Sequence, residues 1–518
     1  MSPITVSDDP SPEQMRAEAR DLARAVRSGD PRAAQLLARH GLAAPDPGRQ
    51  LAPEQAMHVV AREHGFQDWS RLLRYLDLVA EYGRRLAPDD PGDAPAGAFC
   101  RAACLTYTAQ DGPARWAQAA RILAERPHLP REDVHAAAAA ADADAVRAHL
   151  RADPRLARTR GGPHDWTPLF QVAYSRVAAG GDPVEVARLL LDAGADPNEG
   201  YLFNGLPTPF TVLTGVFGAG ELGTAHQPPH PRAAELAGLL LAAGADADDA
   251  QTLYNRQFDA DDRHLELLLA HGLATAERGV WARRLAEVAD DPRRLLRAQL
   301  RWAVDHGMTA RVHLLARSGV DVAAPFDDGP TPADQARLAG HPQLATALEG
   351  LAGPLPGPLP GPLPGTPGGV PELVAALLTA DAAAAARITA ARPGVLAEVR
   401  QRRPGLLVWA AANGRTSAVE LLLDHGFDVD ALGRGDQPAE QPWESALHVA
   451  AGHGDVATAR VLLRRGADPS LRDARFDATP LSWARHFGHD EVARLIEAHG
   501  AAARPDPTGA PDEFRTST

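Results

Sequence analysis

The chain has 518 residues, 45% of them hydrophobic and 23% charged, with a formal net charge of −14. A net-acidic chain of ordinary globular composition is a poor non-specific binder of nucleic acid or anionic lipid. Its 53 lysine-plus-arginine residues are all arginine, which rules out any chemistry that needs a Schiff-base or phosphate-loop lysine.

Residues 1–11 are polar and are expected to be disordered. They show no basic region ahead of an apolar run, so they do not read as a signal peptide. Glu13 to His40 predicts two helices broken at Gly29-Asp30-Pro31. Pro53 to His64 and Asp68 to Tyr82 predict two more. Together, residues 12–87 read as a helical N-terminal cassette, with Trp69, Leu72, Leu73 and Leu76 expected in its core. Pro88 to Gly97 is a turn-rich connector. Cys100 and Cys104 lie too close on one helix for a good disulfide. Two cysteines with no framework suggest a reducing, cytoplasmic compartment. No stretch of about 18 apolar residues predicts a membrane-spanning helix.

From Ala98 onward one grammar recurs. In Trp166 to Asn198 (WTPLFQVAYSRVAAGGDPVEVARLLLDAGADPN) a short apolar helix is followed by a turn, a second helix, and an exit at Gly-Ala-Asp-Pro. Weaker copies precede it at Trp116 to Leu129 and Asp133 to Leu156. A copy with an insertion spans Leu206 to Asp248. Asp261 to Leu273, Leu300 to Val322 and Gly329 to Leu348 follow. The last carries Ala333-Asp334 in its first helix where an apolar residue and a histidine are usual, a polar swap that suits a terminal unit whose outer face meets water. Residues 98–352 thus form a first block. Residues 353–369 read as a linker: GPLP occurs three times from Gly353, and alternate prolines favour a semi-rigid extended spacer.

Residues 370–503 form a second block, and Glu444 to Ser470 is its most regular unit. Gly454 suits the left-handed end of a first helix and Asp455 the N-cap of a second. Val456, Ala459, Leu462 and Leu463 form one apolar stripe. A unit this small cannot bury that stripe alone and must stack on its copies. Residues 504–518 read as a disordered tail.

The ordered set of Thr-Pro-Leu at 167–169 and 479–481, Ala-Leu-His at 446–448, Gly-His at 340–341 and 488–489, and Leu-Leu…Gly-Ala-Asp at 190–196, 240–246 and 462–468 resembles the ankyrin repeat family. The cassette ending REHGFQDWSRLLRYLD resembles a segment that precedes the repeats in bacterial ankyrin proteins. The resemblance implies an all-α ankyrin-repeat solenoid of helix-turn-helix units with extended finger turns, here in two stacks. It also implies that His341, His448 and His489 bond neighbouring repeat backbones rather than a metal.

Chemical motifs are scarce. GAGELG at Gly218 to Gly223 matches a dinucleotide fingerprint, but Pro228-Pro229 blocks the helix that must follow, so it reads as a loop. Neither the histidines nor Asp246 to Asp249 complete a zinc or calcium ligand set, and no cofactor is expected. Arg283, Arg284, Arg293, Arg294, Arg297 and Arg301 read as a solvated helix face rather than a nucleic-acid site.

The expected function is non-catalytic protein–protein recognition on the concave surface and finger turns, as adaptor, scaffold or inhibitor. Carrying the family's positions over gives Gln171, Tyr174, Ser175, Trp409, Asn413, Val449, His453, Trp483, His486 and Phe487 on inner helices. Tyr201, Phe203, Trp443 and Phe476 lie on the turns. Solvent-facing aromatics on a rigid scaffold are the usual anchors of an interface. The alternative is an enzyme hidden in the less regular region 206–310.

Overall fold

The computed structural model describes residues 11–43, 45, 51–84, 94–177, 180–203, 208–275, 279–285, 291–352, 369–435 and 442–502. All of the expected disordered ends but Ser11, and nearly all of the 353–369 linker, lie outside them. The fold is an all-α solenoid whose helices are mostly six to sixteen residues long, with very short strands in the turns. It divides into two compact units, Met1–Gln299 and Leu300–Thr518.

The first unit opens on four helices, Pro12–Arg27, Pro31–Arg39, Pro53–Glu63 and Trp69–Tyr82. Ser11, Asp30 and Asp68 cap three of them, each accepting a backbone N–H in the first turn. Their apolar stripes meet in one core that includes Met15, Leu22, Leu37, Val59, Leu72, Tyr75 and Leu76, with Trp69 and Leu73 packed at its edge. The cassette does not stand apart from the repeats. Gly83–Arg84 pairs in parallel with Gly200–Phe203, which pairs antiparallel with Pro209–Thr211. Beneath this sheet Leu202, Trp281 and Leu285 pack against Leu78, Val79 and Tyr82.

In the second unit the Glu444 to Ser470 repeat folds as its sequence predicts. The Ala446–His453 helix ends at Gly454 with φ of 69°, and Val456–Arg464 follows. Asp455 accepts the Thr458 N–H at 3.0 Å. Ala459, Leu462 and Leu463 are buried in a core that runs from Ala339 to Ile496. The histidines tie repeat to repeat. His448 Nε2 donates to the Ala478 carbonyl at 3.0 Å, His341 Nε2 to Asp305 at 3.0 Å, and His489 Nε2 to Gly452 at 2.9 Å.

One expectation is corrected here. The unit Gly329 to Leu348 does not end a stack. Its Ala339 is buried in the same core as Leu373, Leu377 and Trp409. The compact unit that holds residues 370–502 therefore begins upstream of the proline-rich linker. A polar first turn at Ala333-Asp334 is satisfied locally, because Thr331 caps that helix and accepts the Asp334 N–H at 3.1 Å.

Candidate functional site

The candidate residues separate by burial. Gln171, Tyr174, Ser175 and Tyr201 are buried in the first unit, and Trp409 and Val449 in the second. Their expected exposure is thereby corrected. Val449 packs in the second unit's core, and the other five have a hydrogen-bond or ring partner. Gln171 Oε1 accepts from Cys104 Sγ at 3.1 Å. The Tyr174 hydroxyl donates to Thr211 at 2.8 Å and Ser175 Oγ to Ala139 at 2.6 Å. Tyr201 stacks on Trp166 and Phe210 with centroids 5.9 and 5.8 Å away. Trp409 Nε1 donates to Ala339 at 3.2 Å. Phe203 and Asn413 are half-buried. Phe203 packs on Phe210, and Asn413 Nδ2 donates to the Trp409 carbonyl at 2.9 Å.

The remaining candidates lie in the last described repeats. Thr479 caps the Pro480–His486 helix by accepting the Ser482 N–H at 3.3 Å, with Pro480 preset for its first turn. That helix carries Trp483 and His486, with Phe487 at its C-cap. Trp443 enters from the preceding finger, next to the Glu444–Ser445 strand. Four rings form a chain. Trp443 lies 5.5 Å from Trp483 and 5.7 Å from Phe476, and Trp483 lies 6.1 Å from Phe487. His486 meets Phe487 edge-on at 4.9 Å. Phe476 and Phe487 remain 61% and 55% exposed. His453 is exposed on the adjacent helix, where Gly452 makes room for the indole: a Cβ there would meet Trp483 Cε3 at 2.8 Å.

Two residues absent from the sequence-based set hold this patch together. Asp473 accepts from the Arg475, Phe476 and Ala478 N–H groups at 2.9, 2.5 and 3.1 Å, and from Trp483 Nε1 at 3.1 Å. Burial pushes its carboxyl up, but these donors outweigh burial and hold it below the ordinary carboxylate range. Arg475 lies over both Trp443 and Phe476, at 5.6 and 5.2 Å from the ring centroids. The signal for Asp473 was present in DARFD, since an aspartate that takes backbone N–H groups two and three residues on marks a tight turn. The polar turn Leu432 to Trp443 begins on a strand paired to Glu444–Ser445, and its residues 436–441 lie outside the described residues.

The region 206–310 uses its polar groups internally. Asp249 is buried; its carboxylate accepts from Thr252 N at 2.8 Å and from Thr211 Oγ1. Burial pushes its pKa up to about 6. GAGELG begins where the Val212–Phe217 helix ends. Arg176 ties together the chain on either side of it, donating to the Pro228 and Gly215 carbonyls at 2.7 and 2.6 Å. Of the arginine run, Arg284 donates to the Asn198 carbonyl at 2.8 Å and Arg301 pairs with Asp305 and Asp328 at 3.0 and 2.9 Å. Among the described residues no group of three or more metal-ligating side chains converges.

A family model described as ankyrin repeats in three copies matches residues 369–473 and 407–508. The helix pairs, fingers and histidine bonds of that segment have the form just described. Residues 369–508 are ankyrin repeats.

Curated proteins share this similarity over short spans. The E3 ubiquitin-protein ligase Ufd4 of Drosophila melanogaster is 40% identical over 104 residues, 20% of this chain and 3% of that protein. Protein PhlB of Serratia liquefaciens is 39% identical over 106 residues, 20% of this chain and 44% of that protein. The B-cell lymphoma 3 protein homolog of Mus musculus is 36% identical over 107 residues, 21% of this chain and 22% of that protein. The chain thus spans less than half the length of these relatives. No described helix is long and apolar enough to cross a membrane.

Proposed function

We propose that this ankyrin repeat protein is a non-catalytic protein-binding module of the cytoplasm, acting as adaptor, scaffold or inhibitor. The partner binds the terminal aromatic patch of Trp443, Phe476, Trp483 and Phe487. The observation that carries this reading is the exposure of Phe476 and Phe487 beside two half-buried tryptophans. Exposed phenylalanine gains nothing from water, whereas a contiguous exposed apolar patch marks an interaction surface. The patch is also preorganised. Asp473 fixes the finger and Arg475 covers two rings, so little side-chain entropy remains to be lost on binding. Rigid aromatic and arginine side chains of this kind dominate binding energy in interfaces. His453 and His486 supply polar rim.

The reading is tested by affinity capture with the full chain and with the Phe476→Ala/Phe487→Ala double variant. A partner retained by the native chain and lost by the variant supports it. Equal retention by both removes the patch from the interface.

A further inference from the structure

The N-terminal cassette carries a feature that core packing does not account for. Arg16, Arg20, Arg24 and Arg27 all project from the Pro12–Arg27 helix. At about 100° per residue they fall within roughly 80° of arc, so they form one row about 16 Å long. Among the described residues Arg16, Arg20 and Arg27 form no ion pair, while Arg24 pairs with exposed Asp21 on its own helix. The row borders a groove of about 540 Å³ whose apolar lining includes Ala19, Ala23, Leu51, Ala56 and Met57. That volume lies within the range of ligand-accepting clefts. A chain of net charge −14 here concentrates four cations beside an apolar trough.

We propose that this groove docks an acidic amphipathic helix of a partner protein, apolar side chains in the trough and carboxylates on the arginine row. The length of the row selects this occupant. A single-headed amphiphile such as a fatty acid offers one carboxylate and needs one arginine. Carboxylates at every third or fourth residue of a helix form a row of matching pitch. Each can take a bidentate guanidinium bond. A bilayer surface is flat and does not reach a recessed floor. Helix-in-groove recognition uses this combination of apolar anchors and flanking charge. The site is separate from the aromatic patch of the ankyrin repeats and stands whether or not that patch binds anything.

The test is fluorescence anisotropy of the full chain with a labelled helical peptide of about 18 residues, a length that supports helix formation. Leucines form its apolar face, flanked by glutamates. Saturable binding that weakens with added salt is expected. Arg16→Glu/Arg20→Glu/Arg27→Glu is expected to lower affinity at least about tenfold by reversing the charge complementarity. Met57→Glu, which places a charge on the trough floor, is expected to do the same. Arg62→Glu, exposed on the Pro53–Glu63 helix but outside the groove lining, serves as the control and is expected to bind as the native chain does, as is Phe476→Ala/Phe487→Ala. Circular dichroism checks that the variants keep their helices. The proposal is overturned if a glutamine-for-glutamate peptide binds equally well. Unchanged affinity in the triple variant also overturns it. So does binding confined to phosphatidylglycerol vesicles with none to the peptide.

Discussion

Trp409 donates its indole N–H to the carbonyl of Ala339, 70 residues earlier, at 3.2 Å. The two residues lie on opposite sides of the proline-rich linker and share one core. Trp409 is therefore a structural seam. Trp409→Ala is expected to cost about 3–5 kcal/mol of stability by opening a cavity. Trp409→Phe fills most of the space and leaves the Ala339 carbonyl a second donor, Arg415 Nη1 at 3.1 Å, so its cost is expected to be smaller, about 1 kcal/mol for the one hydrogen bond lost. Urea unfolding monitored by circular dichroism measures both. A loss within about 0.5 kcal/mol for Trp409→Ala, the usual range for exposed positions, would show that the residue is not packed as described.

Phe476 and Phe487 should behave in the opposite way. Each is more than half exposed, so alanine at either is expected to shift stability by no more than about 0.5 kcal/mol. The same substitutions are expected to weaken partner binding by about 2 kcal/mol or more, the range of interface hot spots. Calorimetry with the captured partner checks this separation of stability from binding.

Asp473 couples the two properties. Its carboxylate takes three backbone N–H groups and the Trp483 indole. Asp473→Ala leaves these donors unpaired and is expected to cost about 1–3 kcal/mol. It also frees the finger that presents Phe476, so partner affinity falls as well. Asp473→Asn keeps the shape and part of the acceptor capacity and should lie between. Thermal melts and binding titrations of the two variants give the order.

The seam histidines predict an acid-sensitive stack. Burial, assisted by Arg415, lowers His341 to about 4, and burial lowers His448 as well. In the unfolded chain both titrate near 6.5. As pH falls, the unfolded state takes up protons first, so stability is full above about 6.5 and is lost as pH falls toward 4. The unfolding midpoint should drop over that window. His341→Gln should flatten the drop. A midpoint that rises on acidification through the window would contradict the neutral, buried assignment.

The repeats were legible because their signals are local. Apolar stripes such as Ala459, Leu462 and Leu463, glycine ends such as Gly454, and aspartate caps such as Asp455 each act within one unit. Exposure was not legible, because it depends on what stacks on either side. Gln171, Trp409, Val449 and Trp483 occupy equivalent places in their first helices. The first three are buried beneath neighbours, while Trp483 sits half-buried in the last described repeat. Resemblance to a repeat pattern assigned all four to the binding surface. Only the packing separated Trp483, with Phe476 and Phe487, from the rest. Likewise the linker's composition suggested a boundary between stacks, but contacts made by Ala339 place the compact unit's start elsewhere.

The Trp443, Phe476, Trp483 and Phe487 patch is proposed to contact a protein partner. Site-specific photocrosslinking tests it most directly. A benzophenone amino acid replaces Phe487 in one full-length chain and exposed Arg494, on the Asp490–Ala502 helix, in another. Irradiation in the native lysate should give a discrete crosslinked protein from position 487 and none from position 494, and Phe476→Ala should suppress it. No adduct at 487, or the same adduct at both positions, would contradict the claim.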